Sequence, residues 1–290
     1  MTGIQRRRWL ITGAWGQLGS DLVRTLPGEE VVAIDRDALD ITDEGAVRAM
    51  VSAVRPHVLI SAAAYTAVDA AEADEETAML VNGVAPGLLA AAAHEVGART
   101  IQISTDYVFP GDGAEPYSED APTGPKSAYG RTKLAGERAV LAADPSAYVV
   151  RTAWVYGETG SNFVKTMAAL EAQRENVSVV DDQRGSPTWS RHLARALVEL
   201  GRSDADPGVY HCTGSGDTTW YGFTRAIFEE LGADPDRVLP TTTDAIPRPA
   251  PRPAYSVLSH QRWIDAGLTP MPHWRDALAG AFSSVRGWAQ

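Results

Sequence analysis

Cysteine is nearly absent. Cys212 is the single one in 290 residues. One thiol cannot close an internal disulfide, and no Cys/His cluster has metal-ligand spacing, so neither a disulfide scaffold nor a zinc module is expected. Cys212 reads as a small buried hydrophobe, and a reducing, cytoplasmic setting fits. Positive charge is also scarce. Lys and Arg number 26 against 37 Asp and Glu, a net charge of −11, and the isoelectric point is about 5.0. The basic run Arg6-Arg7-Arg8 sits beside the first strand. Nucleic acid is therefore not an expected partner. An anionic substrate would have to be met by a few local Arg or Lys side chains and by backbone N–H groups. Apolar runs such as Leu88 to Ala93 are far too short to span a bilayer, so no membrane is expected. The N-terminal arginines precede no apolar h-region with a cleavage site, which argues against a signal peptide.

What is present is an ordinary globular composition, 44% hydrophobic and 22% charged. It suits one large or two modest domains. A strand at 9–12 runs into Gly13-Ala-Trp-Gly16-Gln-Leu-Gly19 and a helix over 20–26. Gly13 suits a tight turn, Gly16 a close backbone approach to a pyrophosphate, and Gly19 close packing of helix on strand. The spacing is G-x-x-G-x-x-G rather than G-x-G-x-x-G, and Trp15 sits mid-turn, free to stack near a cofactor or pack on the surface. A second strand, 30–34, ends at Asp35, where an acid hydrogen-bonds an adenosine ribose. Arg36 follows and suits a 2′-phosphate, so NADH and NADPH both stay open. After Asp40-Ile41, Thr42 is the expected N-cap of a helix reaching Val54. A third strand, 57–61, ends in Ala62-Ala63-Ala64-Tyr65, small residues against which a flat cofactor can lie. A long helix over 72–96 should kink near Pro86.

A fourth strand over 98–104, a Gly/Pro-rich loop over 112–125, a helix over 127–143 and a fifth strand over 147–152 follow. Strands alternating with helices predict an α/β fold with a doubly wound, Rossmann-type parallel sheet and ligands at the C-terminal strand ends. The dinucleotide-binding domain is expected over 1–153, also taking back about 186–214. Residues 154–290 should form a smaller, interleaved C-terminal substrate-binding region. It contains helices over 163–174, 189–200 and 219–231, strands over 177–180 and 208–213, a stiff proline-rich loop over 246–253, and a C-terminal helix from 273 to about 288.

Tyr129 and Lys133 are four apart, so a helix projects both from one face. A cation beside a phenol favours phenolate and should pull the tyrosine pKa down toward working pH. Such a tyrosine can exchange a proton with an alcohol or carbonyl oxygen. Thr105 closes the fourth strand, and Tyr129 lies 24 residues later. A strand-end hydroxyl followed by Tyr-x-x-x-Lys, after a glycine-rich first turn, resembles the extended short-chain dehydrogenase/reductase superfamily. That resemblance implies that Thr105 hydrogen-bonds a substrate carbonyl, Tyr129 protonates it, and Lys133 holds the nicotinamide ribose and lowers the tyrosine pKa.

The strings Ala62-Ala-Ala-Tyr-Thr-Ala-Val-Asp69, Ser104-Thr-Asp-Tyr-Val-Phe109, Tyr129-Gly-Arg-Thr-Lys-Leu-Ala-Gly-Glu137, Arg151-Thr-Ala-Trp-Val-Tyr156, Asp182-Gln-Arg-Gly-Ser-Pro-Thr188 and Arg252-Pro-x-x-Ser-x-Leu258 together resemble the dTDP-4-dehydrorhamnose reductase family. The family reduces the 4-keto group of dTDP-4-dehydro-L-rhamnose with NADPH or NADH. The implied cofactor set is Gly13, Trp15, Gly16, Gln17, Leu18, Asp35, Arg36, Asp40, Ile41, Ala62, Ala63, Ala64, Tyr65, Tyr129 and Lys133. On the substrate side stand Thr105, Asp106, Trp154, Asn162, Arg184 and Arg252, with Arg248 a further diphosphate candidate. Trp154 suits either sugar stacking or core packing. His192 and His211 read as structural. Some members bridge a dimer through magnesium held by C-terminal acids. This chain ends Arg286-Gly-Trp-Ala-Gln290, so its sequence does not support that metal, and a monomer or homodimer is expected. Two alternatives keep the fold: a 4-ketoreductase for another dTDP-deoxysugar, and a non-catalytic cofactor-binding subunit.

Overall fold

The computed structural model describes residues 6–284 and Trp288. The magnesium reading of the C-terminal tail therefore lies outside the described residues, Trp288 apart. Six strands form one sheet: β1 (Arg8–Thr12), β2 (Glu30–Ile34), β3 (Val58–Ser61), β4 (Arg99–Thr105), β5 (Tyr148–Thr152) and β6 (Gly208–His211). Their order is β6-β5-β4-β3-β1-β2, and every pairing is parallel. Trp9 and Ile11 of β1 pack into one core and Leu10 into another, so the sheet is covered on both faces. That explains why its strands are apolar throughout rather than alternating. The order reverses between β1 and β3, the switch point at which such sheets bind ligands.

The helices are α1 (Gln17–Thr25), α2 (Glu44–Val54), α3 (Glu75–Glu95), α4 (Ala128–Ala143), α5 (Phe163–Gln173), α6 (Ser190–Arg202), α7 (Trp220–Glu230) and α8 (Trp274–Ser284). Asp43 caps α2, accepting from Ala46 N at 3.0 Å. The expected cap, Thr42, instead donates to Asp40. The expected kink in α3 is a π turn over Leu80–Val84, just ahead of Pro86. Widening the helix by one residue there relieves the clash a proline makes with the preceding turn, so the run continues. Its 21 residues are long and apolar enough to cross a membrane by length and composition, beyond the short apolar runs of the sequence. Half of that window is buried, and the helix packs between α2 and α4, as a core helix does.

Beyond β5 the chain builds a second core from Tyr156, Val164, Val177, Trp189, Phe223, Phe228 and Leu278. It does not stay apart from the sheet. Helix α6 packs on α1, and β6 pairs with β5. The loop after β4 pairs with residues 253–259: Tyr255 N donates to Gly111 O, and Ser259 N to Tyr117 O. This pairing carries Ser256 to the end of β4.

Candidate active site

The glycine turn is built for contact. Gly13 has φ +65°, and a Cβ on it would stand 2.7 Å from Ala63 N. The first turn and the Ala62–Tyr65 segment thus touch backbone to backbone, leaving no room for a side chain. A Cβ on Gly19 would collide with the carbonyl of Gly13. Gly16 is the N-cap of α1 and supplies no capping side chain, which leaves first-turn N–H groups free of side-chain partners. Trp15 is 63% exposed and lies outside the core. Gln17 donates through Nε2 to Val155 O at 2.9 Å, tying the turn to the chain after β5. Leu18 packs against the first core. Asp35 follows β2 directly and accepts from Arg36 N at 2.7 Å, with Arg36 exposed beside it. Asp40 instead serves its own loop: the Thr42 hydroxyl and N–H hold its carboxyl below the usual range. Ile41 packs under that loop. The contact surfaces, the uncapped helix start and the adjacent Asp35 and Arg36 fit a dinucleotide.

One residue sets the Ala62-Ala63-Ala64-Tyr65 segment that was not singled out from sequence. Buried Asn82, within the π turn, accepts from Tyr65 N at 2.8 Å and donates to Tyr65 O at 3.0 Å. It also donates to Thr132 on α4 at 3.3 Å, linking the cofactor-side loop to the helix of Tyr129.

Thr105 lies opposite Thr152 at the end of β4. Its hydroxyl is 2.8 Å from Asp106 Oδ1 and accepts from Tyr107 N at 3.2 Å. Ser127 caps α4, accepting from Gly130 N at 3.1 Å, and so fixes the start of the helix that presents Tyr129. Tyr129 meets the Tyr107 ring edge-on at 5.6 Å. Lys133 is only 4% exposed and donates to Ile103 O at 2.6 Å. Burial brings its pKa down to about 8, with the Glu137 charge opposing. The expectation of a lowered Tyr129 pKa is not met. Burial pushes that phenol well above its ordinary value, Asp106 adds to the rise, and Thr105 draws it down. Desolvation of the phenolate outweighs the help of neighbours.

Below these groups runs a buried polar network. Arg151 on β5 grips Glu137 with Nε at 2.9 Å and Nη2 at 2.7 Å. Ser104 donates to the same carboxylate at 2.5 Å. Arg151 Nη1 reaches Glu119 O and lies 3.4 Å from His211. Burial, then Arg151, takes His211 down to about 3, so it stays neutral and structural, as its sequence setting suggests. Glu137 was missed although the signal was present: Tyr129, Lys133 and Glu137 recur at every fourth position on one helix face.

The substrate-side candidates separate. Asp106 is 2% exposed and turned to Thr105, with Oδ2 buried and, among the described residues, short of a partner at hydrogen-bond geometry. Burial raises it to about 6, against the hydroxyls of Ser256 and Thr105. Trp154 has φ +47°, a strained conformation for a bulky residue. It lies flat on Trp220 with ring centroids 3.5 Å apart, and Trp220 also meets Phe163. Asn162 acts locally as the cap of α5, accepting from Lys165 N and donating to Gly157 O. Arg184 pairs with Asp217. Arg252 donates to Asp69 at 2.9 Å, and Arg248 lies 3.8 Å from the same carboxylate. Tyr107, Lys126, Ser127 and Arg252 line a cavity of about 200 Å³ between the loop after β4 and residues 251–254. His192 lies beside the Trp189 ring, its buried Nδ1 without a partner among the described residues, and Cys212 is a buried free thiol. Among the described residues no cluster of His, Cys, Asp and Glu could hold a metal.

Known proteins match this arrangement over its whole length. The RmlD substrate binding domain family matches residues 7–286. A dTDP-4-dehydrorhamnose reductase of Streptomyces griseus is 52% identical over 100% of this chain and 97% of its own. A dTDP-4-keto-6-deoxy-D-glucose reductase of Streptomyces niveus is 51% identical over 95% of this chain and 96% of its own. The crystal structure of a Bacillus anthracis dTDP-4-dehydrorhamnose reductase in complex with NADP superposes with a TM-score of 0.94 at 39% identity, covering 97% of this chain and 100% of that one. Together with a Rossmann-type sheet whose β4 closes on Thr105 and an α4 that carries Tyr129 and Lys133, these matches make the chain a member of the dTDP-4-dehydrorhamnose reductase family.

Proposed function

We propose that this chain reduces the 4-keto group of dTDP-4-dehydro-L-rhamnose to give dTDP-L-rhamnose, using NADPH. The observation that carries the reading is the Thr105 hydroxyl at the end of β4 acting on the Tyr129 phenol, with Lys133 one turn further along the same helix, in a sheet whose first turn is close-packed glycine. Reduced nicotinamide supplies the hydride to C4 of the sugar. Tyr129 gives its phenolic proton to the keto oxygen, which becomes a hydroxyl. The high pKa of the buried phenol keeps that proton in place until charge develops on the oxygen. Thr105 hydrogen-bonds the same oxygen, and Lys133 holds the ribose of the cofactor. Gly13, Gly16, Asp35, Arg36 and the Ala62–Tyr65 segment bind the dinucleotide. Trp154 with Trp220 walls the sugar, and Arg184 and Arg252 would meet the diphosphate only by turning from Asp217 and Asp69, with which they pair.

The near-equal identity to a dTDP-4-keto-6-deoxy-D-glucose reductase favours a second substrate with the same chemistry, a 4-keto-6-deoxyhexose of different ring configuration. A non-catalytic role does not explain a buried Thr105 and Lys133 flanking a partly buried Tyr129. Residues 1–153 with 186–214 then serve the cofactor, and 154–290 mainly the sugar. A cytoplasmic monomer or homodimer acting on a small nucleotide sugar completes the reading.

The test is loss of reduced-nicotinamide absorbance with dTDP-4-dehydro-L-rhamnose, using NADPH and then NADH, with product configuration read by NMR. Tyr129→Phe should lower kcat by about 10²- to 10⁴-fold while binding NADPH normally. Oxidation of neither cofactor by the wild-type chain, or full turnover by the Phe variant, overturns the reading.

A further inference from the structure

Thr105 has a single hydrogen to give, and Asp106 competes for it. The separation of 2.8 Å between Thr105 Oγ1 and Asp106 Oδ1 is the same whichever oxygen carries the proton. If Asp106 is a carboxylate, it can only accept, so Thr105 must donate to it. The hydroxyl then has nothing to offer a substrate oxygen. The carboxyl is also badly served as an anion. It is 2% exposed, and among the described residues Oδ2 has no partner at hydrogen-bond geometry, although the Ser256 hydroxyl lies near enough to favour the charged form. Ser256 Oγ, 1% exposed and brought there by the pairing of residues 253–259 with the loop after β4, lies beside the carboxyl but meets no partner at hydrogen-bond geometry among the described residues. A buried carboxylate with an unsatisfied oxygen costs more than the neutral acid.

The geometry points to Asp106 as a positioning residue that works as the neutral acid, donating to Thr105 so that the Thr105 hydrogen is aimed at the oxygen being reduced. This rests on the ketoreductase reading above. With the proton on Oδ1, Thr105 Oγ1 accepts from Asp106 and from Tyr107 N, which fills both of its lone pairs. Its own hydrogen must then point elsewhere, toward Tyr129 and the carbonyl oxygen. A small movement of the Ser256 hydroxyl lets it donate to Oδ2, and both buried orphans are satisfied. Nothing is consumed in the cycle: Asp106 keeps its proton, and Tyr129 alone delivers one to product.

The groups facing the carboxyl come from three elements. Thr105 and Tyr107 flank it on its own strand end, Tyr129 faces it from α4, and Ser256 from residues 253–259. Arg252 and Asp69, paired with each other, bear on Tyr107. Burial is the largest influence on Asp106, and it acts in the direction that retains the proton.

The experiment is kcat/KM for dTDP-4-dehydro-L-rhamnose with saturating NADPH, followed from about pH 5 to pH 9. In the wild type, kcat/KM should fall about tenfold per pH unit above the ionisation of Asp106, because the acid is the competent form. Asp106→Asn, whose amide is a permanent donor to Thr105, should turn over and lose that falling limb, leaving only the later one from Lys133. Ser256→Ala, which removes a donor to the carboxylate, should move the limb to higher pH. An Asn variant that keeps the wild-type limb, or falls to the level of Thr105→Val, overturns the proposal. If the Asn variant does not fold, an unmoved limb in Ser256→Ala overturns it. A wild-type chain that oxidises no cofactor with this substrate would instead sink the ketoreductase reading.

Discussion

The two halves of this molecule reach close packing by opposite means. On the cofactor side, backbones touch because side chains are missing. Gly13 lies against Ala63, Gly87 would place a Cβ 2.9 Å from Ala139, and Gly136 faces the carbonyl of Asn82. On the other side, contact is made by large rings: Trp154 on Trp220, Phe163 on Trp220, Tyr156 beside Phe223, and Trp274 edge-on to Phe223. A dinucleotide presents the same flat and charged surfaces to every protein that binds it, and backbone N–H groups at close range suit it. A sugar ring has apolar faces that an aromatic wall can cover. The contrast predicts that adding a methyl group harms one half, whereas removing a ring harms the other.

Trp220→Ala should show the largest effect. Losing the partner of a strained Trp154 should cost about 2 to 3 kcal/mol of stability, read by chemical denaturation, and raise KM for the sugar nucleotide while NADPH binding holds. Gly13→Ala should cost about 1 to 3 kcal/mol, since φ +65° and the Ala63 contact both oppose a Cβ. Its damage should fall on NADPH affinity, measured by fluorescence titration, with sugar KM little changed. If either variant damaged both ligands equally, the division of labour would be wrong. Arg36→Ala should be smallest, weakening NADPH by about 1 kcal/mol and leaving NADH nearly unchanged; equal loss with both would remove Arg36 from the 2′-phosphate.

What could be read from sequence follows the range of the interaction. Thr105, Tyr129 and Lys133 were legible because one strand and one helix carry them. The alternation of strands and helices was legible for the same reason. The partners of the arginines were not. Arg252 meets Asp69 from 183 residues away, and Arg184 meets Asp217 from 33 away. Local spacing shows a free guanidinium in each case, and the fold supplies the acid. Asn162 looked like a ligand group yet caps α5, because a short polar side chain before a helix has a nearer use for its oxygen. Tyr129 was misjudged in another way. Its neighbour in sequence is a cation, but burial, which no spacing reveals, decides its acidity.

The π turn in α3 has a consequence in counting. It holds one residue more than an α-helical turn, so Leu80–Val84 stores a single extra step of chain. Deleting one residue there would leave a regular helix, with better hydrogen bonds and the same core alanines. The two halves of the helix would keep nearly the same facing, because the wider turn already absorbs the extra residue. What would be lost is the widened turn itself, from which Asn82 reaches both Tyr65 and Thr132. The cofactor loop and the helix of Tyr129 are in step because the chain between them is one residue too long to be an ideal helix.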